Sequence, residues 1–182
     1  MESDRTRLYL TRHGEVVNHG VYNGQNDVDI TPKAIQQMER LRDRLADKDL
    51  RAAYSSDLIR TRKGAEIIAQ PHGLAPRTFP EFREVNFGRW QGLSYAQVME
   101  QYPADIPQWL GDVENFHIPE GESMTEVRQR SMPKLQELIE KHRGEEILLV
   151  CHGALNRVIL ADALRLPMAH LLRFEQEYGC LN

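Results

Sequence analysis

The sequence has little cysteine, no long apolar run and no excess of positive charge. Its two cysteines, Cys151 and Cys180, are too few for a disulfide framework and are typical of a reducing compartment. No apolar run approaches the roughly 20 residues that a membrane-spanning helix needs. The first residues, Met1 to Arg5, also lack an apolar signal segment. We therefore expect a cytoplasmic protein that does not use a membrane as its partner.

The charge balance and the spacing of metal-binding residue types exclude further classes of protein. A formal net charge of −4 argues against nucleic acid as the main partner. No His-Glu-x-x-His or comparable ligand spacing is present, so we expect neither a metal nor another cofactor. A small molecule is the predicted partner, and the sequence leaves open whether the chain forms a homodimer.

The length and composition suit one ordinary globular domain. The chain has 182 residues, of which 41% are hydrophobic and 27% are charged. We predict one domain over residues 1–182. Within it, the irregular residues 93–122, rich in proline and aromatic side chains, are expected to form a cap or insert loop.

Short apolar segments alternate with amphipathic ones along the chain. This alternation predicts an α/β fold, a three-layer α/β/α sandwich around a mainly parallel sheet. In the helix that begins at Thr31-Pro32 we expect Ile35 on the buried stripe, and we expect Pro133 to bend or break a later helix. The predicted strands lie around residues 8–10, 51–55, 77–79 and 147–151, and the predicted helices begin near residues 32, 58, 94, 123 and 154.

Two of the predicted strands end in a histidine followed by a glycine. The first strand runs into Arg12-His13-Gly14, and the buried run 147–151 runs into His152-Gly153. Because open α/β sheets bind ligands at the carboxyl ends of their strands, both imidazoles are expected to meet at one pocket. The glycines let the backbone turn tightly beside a ligand.

The residues around these histidines suit phosphate chemistry. Arg12 and Arg60 would supply forked donors for phosphate oxygens, and the helix after Gly153 would point its N-terminus inward. A neutral imidazole can attack phosphorus and form a phosphohistidine that water then hydrolyses. Glu84 lies in an aromatic stretch, where partial burial and a nearby phosphate dianion would favour the protonated acid that a leaving oxygen needs.

Several motifs in the chain resemble those of the histidine phosphatase superfamily, the phosphoglycerate-mutase-like clan. They cover nearly the whole chain in the family's order. The resemblance implies a phosphoglycerate-mutase-like fold and a metal-independent phosphatase, with His13 as the phosphorylated nucleophile. It also implies that Arg12, Arg60 and His152 bind phosphate and that Glu84 donates the proton. The matching segments are Arg12-His13-Gly14-Glu15, Ser56-Asp57-Leu58-Ile59-Arg60, Glu84 to Gly92, Gly121-Glu122-Ser123 and His152-Gly153.

The chain departs from the family pattern at a few positions. Val16 and Val17 follow Glu15 where the family often has Thr or Ser, so Asn18 matches a phosphate contact only if the loop is shortened. Thr61, Gly64 and Ala154 also replace residue types that are common in the family. Family members usually continue further, so we expect a trimmed C-terminus.

Within the family, the short segment 93–122 favours hydrolysis over mutase activity, because a small cap admits water to the phosphohistidine. The overall pattern is most similar to α-ribazole 5′-phosphate phosphatases of the cobalamin pathway, and that compound is the expected substrate. A broad-specificity small-molecule phosphatase and a phosphoglycerate mutase are the alternatives within the family. The predicted substrate-binding residues are Asn18, Gly24, Gly153, Trp109, Phe116 and His117.

Other interpretations compete with this one. Cys151 and Arg157 have the spacing of cysteine-dependent phosphatases, although Val150 and Val158 do not fit that pattern. A binding module that senses a phosphate ligand without turnover would use the same residues. For the role of acid, the competitors of Glu84 are Glu15, Glu81 and Glu122.

Overall fold

A computed structural model describes residues 4–182 of the chain. Residues 1–3, which belong to the stretch predicted to lack a signal segment, lie outside the described part. Four parallel strands form one sheet in the order β1-β4-β2-β3. The strands are β1 (Arg7–Arg12), β2 (Leu50–Ser55), β3 (Arg77–Thr78) and β4 (Glu146–Cys151).

Six α-helices of the described part connect and cover these strands. No helix within residues 4–182 combines the length and the apolarity needed to cross a membrane. The helices are α1 (Pro32–Leu45), α2 (Ile59–Ala69), α3 (Tyr95–Gln101), α4 (Asp105–Gly111), α5 (Met124–Lys141) and α6 (Gly153–Ala163).

The side chains of β4 alternate between two hydrophobic clusters, which explains its continuous apolar sequence. Leu148 and Val150 pack with α1 and α2 on one face of the sheet. Ile147, Leu149 and Cys151 pack with α5 and α6 on the other face. The predicted α/β/α sandwich is therefore confirmed.

Strand β4 lies beside β1 in register, and this pairing places the two histidines together. Arg12 is paired with Cys151, so His13 and His152 each follow the last residue of adjacent strands. The His13 amide donates to the Cys151 carbonyl at 3.0 Å, which extends the pairing by one more hydrogen bond. The sheet thereby brings both rings to one edge.

The phase of α1 differs from the prediction. Ala34, Met38, Leu41 and Leu45 form its buried stripe, whereas Ile35 is 44% exposed. The expectation for Ile35 was wrong because the stripe starts one residue earlier, where α1 approaches the turn after His13. A Cβ atom on Gly14 would lie only 2.5 Å from the Ala34 Cβ, so this close contact requires glycine.

Helix α5 continues through Pro133, which corrects the expected break. Val127 and Leu135 are buried on either side of the proline, and Ser123 and Glu126 form a capping box at the start. Core packing and capping together outweigh the hydrogen bond that the proline removes.

Residues 93–122 are more regular than expected, since they carry α4 as well as the predicted helix after Ser94. The capping box of Ser94 and Gln97 starts α3 as predicted. Helix α4 was missed because Pro103 and Pro107 suggested a loop, but Pro107 lies in its first turn, where proline is tolerated.

Candidate active site

The rings of His13 and His152 lie side by side, with their centroids 5.2 Å apart and an interplanar angle of 65°. His13 is 4% exposed and His152 is fully buried. The prediction that two imidazoles from distant parts of the chain lie next to each other is therefore confirmed. His13 lies on the wall of a pocket, whereas His152, which was expected to face the same pocket, is buried behind that wall and does not line it.

The hydrogen bond of His13 determines which ring nitrogen is available. Nδ1 lies 2.7 Å from the carbonyl oxygen of Gly14, which only accepts hydrogen bonds, so Nδ1 carries the proton. Burial is the main cause that lowers the pKa of His13 well below its ordinary value, and the charges of Arg60 and Arg12 add to it. The ring is thus neutral near pH 7, with the lone pair on Nε2 free to act as a nucleophile.

His152 is held by a pair of hydroxyl groups. Its Nε2 lies 2.7 Å from the Ser56 Oγ, which is in turn 2.7 Å from the Thr61 Oγ1. Burial, followed by the Arg60 charge, lowers the pKa of His152 well below its usual range. Its buried Nδ1 has no hydrogen-bond partner among residues 4–182. The sequence indicated Ser56 only as the first residue of a family motif, without this contact.

Arg60 is 1% exposed although it belongs to the first turn of α2. Its guanidinium donates to the carbonyl oxygens of Gly24 at 2.6 Å and Asn26 at 2.7 Å. Burial lowers the pKa of Arg60 to about 10, while the charge of Glu84 opposes the shift. The side chain therefore keeps its positive charge at neutral pH and also anchors the loop that contains Gly24.

Arg12 lies at the end of β1 with part of its guanidinium unused. One terminal nitrogen donates to the Gln176 carbonyl oxygen, and the guanidinium carbon lies 4.1 Å from the centre of the Tyr178 ring. The Nε atom is buried and has no hydrogen-bond partner in the described part of the chain. Such an orphaned donor beside a histidine suits an anionic ligand.

Glu84 corrects the expectation that the N-terminus of α6 is open to phosphate. Its carboxylate accepts hydrogen bonds from the amides of Ala154 at 3.1 Å and Leu155 at 3.2 Å. The Glu84 carboxylate therefore binds at the positively charged N-terminus of α6. Gly153, predicted to bind substrate, still lies on the pocket wall.

Glu84 is favoured over the other three acids by its position. It is on the wall of the pocket, and none of the other three is. Glu15 pairs with Lys33 and Glu122 pairs with Arg130. Arg130 also donates to the Glu84 carbonyl oxygen at 3.0 Å, so this ion pair holds the backbone of Glu84.

The pocket has a volume of about 300 Å³ and a wall that combines charged and apolar side chains. Gly24 and Trp109 belong to its wall, in agreement with the positions expected for them. The charged and polar residues of the wall are Arg12, His13, Asn23, Arg60, Glu84, Arg157 and Tyr178. Its larger apolar residues are Val16, Val21, Tyr22, Phe87, Trp109, Val113, Met124, Leu171 and Leu172.

Three predicted substrate-binding residues lie outside this wall. Asn18 is exposed, and its carbonyl oxygen accepts from the side chain of Asn23, which does line the pocket. Phe116 stacks on the buried Trp90 at 6.1 Å, so it contributes to packing. The ring of His117 is 55% exposed and lies 3.4 Å from Glu126.

Cys151 does not have the environment of a nucleophilic cysteine. It is fully buried in the cluster of α5 and α6. Burial, and secondly the charge of Glu84, raises the pKa of its thiol well above the ordinary value. A thiol in this state is inert, so the structure argues against the cysteine-dependent alternative.

Arg157 and Tyr178 line the pocket without having been predicted to do so. Arg157 lies one helical turn after Gly153 on α6, and that spacing is a signal that sequence reasoning could have used. Its Nε donates to the Phe174 carbonyl oxygen at 2.8 Å, and burial lowers its pKa. Tyr178 reaches the pocket from a segment with no regular structure, so no pattern indicated it.

The fold and the site together define a parallel α/β protein with a cationic pocket centred on a neutral histidine. Comparison with known proteins narrows this class. The chain belongs to the histidine phosphatase superfamily (branch 1), whose family model matches residues 8–182.

The chain is similar to both mutases and phosphatases. It is 34% identical over 169 residues to the probable phosphoglycerate mutase GpmB of Yersinia pestis, an alignment that covers 92% of this chain and 78% of that protein. The alpha-ribazole phosphatase of Shigella flexneri superposes with a TM-score of 0.84 at 28% identity, covering 96% and 88% of the two chains. A mycobacterial glucosyl-3-phosphoglycerate phosphatase superposes with a TM-score of 0.87 at 28% identity, covering 97% and 90%.

Proposed function

We propose that this protein hydrolyses phosphomonoesters through a phosphohistidine at His13. The Nε2 lone pair attacks phosphorus, the bond from phosphorus to the leaving oxygen breaks, and Glu84 gives its proton to that oxygen. Water then attacks phosphorus as the bond from phosphorus to Nε2 breaks, Glu84 takes up the proton that the water loses, and inorganic phosphate leaves. The hydrogen bond from Nδ1 to the Gly14 carbonyl carries this proposal, because it fixes the free lone pair on Nε2.

The arginines supply the positive charge that this chemistry needs. Arg12 and Arg60 lie on the pocket wall with His13, where they would bind the phosphoryl oxygens. The orphaned Nε of Arg12 and Nδ1 of His152 are further donor or acceptor positions for those oxygens. Because protein cations neutralise the phosphate, we propose that no metal takes part in the reaction.

The apolar wall supports an aromatic leaving group, with α-ribazole 5′-phosphate as the proposed substrate. The side chains of Tyr22, Phe87, Trp109 and Leu172 offer a surface on which a benzimidazole can stack. The similarity to the alpha-ribazole phosphatase of Shigella flexneri supports the same choice.

Phosphoglycerate mutase activity is the second candidate, because the Yersinia pestis relative carries that name. A phosphoglycerate also needs a partner for its carboxylate. Arg157 is the cation on the wall that remains for such a carboxylate, whereas most of the wall is apolar. We therefore propose hydrolysis of α-ribazole 5′-phosphate as the first candidate and isomerisation as the last. A broad-specificity phosphatase ranks between them.

The test is release of phosphate from α-ribazole 5′-phosphate and from phenyl phosphate, beside isomerisation of 3-phosphoglycerate. We expect hydrolysis that His13→Ala lowers on the order of 10³-fold or more, whereas Cys151→Ser retains it. We also expect EDTA to leave the rate unchanged. Faster isomerisation than hydrolysis would establish the mutase alternative. Binding of phosphate with no turnover of any ester would establish the non-catalytic binding module instead.

A further inference from the structure

Residues 174–182, near the end of the chain, form hydrogen bonds with three residues of the proposed active site. The Gly179 amide donates to the His13 carbonyl oxygen at 3.2 Å. The Gln176 carbonyl accepts from Arg12, and the Phe174 carbonyl accepts from Arg157 at 2.8 Å. The segment therefore fixes the backbone of the nucleophile and two of the cations beside it.

The segment is itself held in place by Gln176, which is 4% exposed. Its side-chain oxygen accepts from Asn156 of α6 at 3.0 Å and from Asn182 at 3.2 Å. Leu181 forms a bridge with Thr11 of β1. Because it is tied to both α6 and β1, residues 174–182 present a fixed surface to the pocket.

Tyr178 lies where this surface meets the reacting groups. Its ring centre is 4.1 Å from the guanidinium carbon of Arg12 and 5.6 Å from the centre of the His13 ring. The ring also lines the pocket. The cation–π attraction holds a guanidinium close to an aromatic face. The N–H donors of that guanidinium that have no other partner therefore keep a fixed direction.

We propose that Tyr178 is a positioning residue for phosphoryl transfer. Its ring and the Gln176 carbonyl hold Arg12 from two sides, and this fixes the direction of the guanidinium on the pocket wall. The same ring packs beside His13 and limits rotation of the imidazole away from phosphorus. The proposal rests on the proposed function, since it acts on the proposed phosphate ligand and nucleophile.

A second role for an aromatic side chain on a pocket wall is stacking on the leaving group. The two roles differ in how they depend on the substrate. A residue that orients Arg12 and His13 acts on the phosphoryl group, which all substrates share. A residue that stacks on the leaving group contributes more to a large aromatic ester than to a small one.

The test compares Tyr178→Leu and Tyr178→Phe on phenyl phosphate and 2-naphthyl phosphate. We expect Tyr178→Leu to lower kcat/KM about 10-fold, and by the same factor on both esters, as the loss of one cation–π contact implies. Tyr178→Phe keeps the ring, and we expect it to stay within about twofold of the parent protein. The inhibition constant of inorganic phosphate is expected to rise in Tyr178→Leu and to stay unchanged in Tyr178→Phe.

The exposed Tyr95 of α3, 53% accessible, provides the matched control, and Tyr95→Leu is expected to change neither quantity. Circular dichroism and thermal unfolding show whether each variant is folded, and Tyr178→Met replaces Tyr178→Leu if the latter is not. A larger loss on 2-naphthyl phosphate than on phenyl phosphate, or full activity without the ring, overturns the positioning role. A parent protein with no activity that depends on His13 overturns the proposed function itself, and so the two failures are distinct.

Discussion

At the scale of single residues, the environment of His13 favours the neutral ring that a nucleophile requires. The ring is 4% exposed, and burial lowers its pKa more than any other cause. Arg60 is the next cause, ahead of Arg12. The arginines that would bind phosphate therefore also keep the imidazole unprotonated before the substrate arrives.

This environment predicts the acid side of the pH profile. Because the pKa of His13 is lowered, its protonation and the resulting loss of kcat/KM should occur below about pH 6.5, the ordinary value for an imidazole. In Arg60→Gln one repelling charge is removed, so the pKa of His13 rises and the acid limb moves to higher pH. The measurement is the midpoint of the acid limb of kcat/KM, which is independent of the lower overall activity expected for this variant.

Arg128 provides a control for this experiment, since it pairs with Asp162 on the surface and is 52% exposed. Arg128→Gln should leave the midpoint where it is. An acid limb in Arg60→Gln at the same pH as in the parent protein, or at lower pH, would contradict the electrostatic account.

At the scale of elements, the position of Glu84 depends on the contact between two loops. Gly121 packs directly against the segment that follows Glu84, and a Cβ atom there would lie 2.2 Å from the Asn86 carbonyl oxygen. The neighbouring Glu122 accepts the Asn86 amide at 2.8 Å and pairs with Arg130. The loop at residues 118–122 therefore works as a support for the proposed proton donor.

We predict that Gly121→Ala forces these loops apart. The expected cost is roughly 1–3 kcal/mol in the free energy of unfolding, as for overpacking elsewhere, together with a loss of kcat as Glu84 moves. Gly111, at the end of α4, is the matched control because a Cβ atom there meets nothing within 4 Å. Urea unfolding and phosphate release measure the two effects. A Gly121→Ala variant as stable and active as Gly111→Ala would show that the contact is not needed.

At the scale of the whole molecule, two buried neutral histidines make stability depend on pH. The pKa values of His13 and His152 are lowered in the folded protein, whereas both imidazoles titrate near 6.5 when unfolded. Below that pH the unfolded chain binds more protons than the folded one, so stability falls as the pH falls. Each ring contributes up to about 1.4 kcal/mol per pH unit in this range.

Urea unfolding at pH 7 and at pH 5 tests this linkage. His13→Ala removes one of the two contributions, so we expect a smaller loss of stability between the two pH values than in the parent protein. Other titrating groups contribute to both proteins and cancel in the comparison. An equal loss in both proteins would mean that His13 is not protonated differently in the two states.

Much of this architecture could be predicted from local patterns. The apolar run of β4 correctly indicated a strand, and the helix starts predicted near residues 94 and 123 coincide with the capping boxes at Ser94 and Ser123. The two His-Gly pairs indicated the edge of the sheet where the site forms. These features were predictable because each depends on neighbouring residues and on the side-chain period of a strand or helix.

What sequence reasoning missed depends on contacts between distant segments. Glu84 occupies the start of α6, 70 residues later in the chain, and Ser56 reaches His152 across 96 residues. Tyr178 enters the pocket from irregular backbone, where no periodicity indicates direction. Ile35 was assigned to the wrong face of α1 because the tight contact of Ala34 with Gly14 sets the phase of that helix.

The pairing of β1 with β4 has a consequence for how the protein folds. Arg7 and Glu146, which are paired in these strands, are separated by 139 positions along the chain. Pairing two strands that are so far apart in the sequence is slow, because the entropy lost in closing a long loop must be overcome before the contacts form. In the folded sheet β4 lies between β1 and β2, so we expect the site around His13 to form only after β4 has joined the sheet. We therefore expect the proposed phosphatase activity to appear late in refolding, after the helical circular dichroism signal.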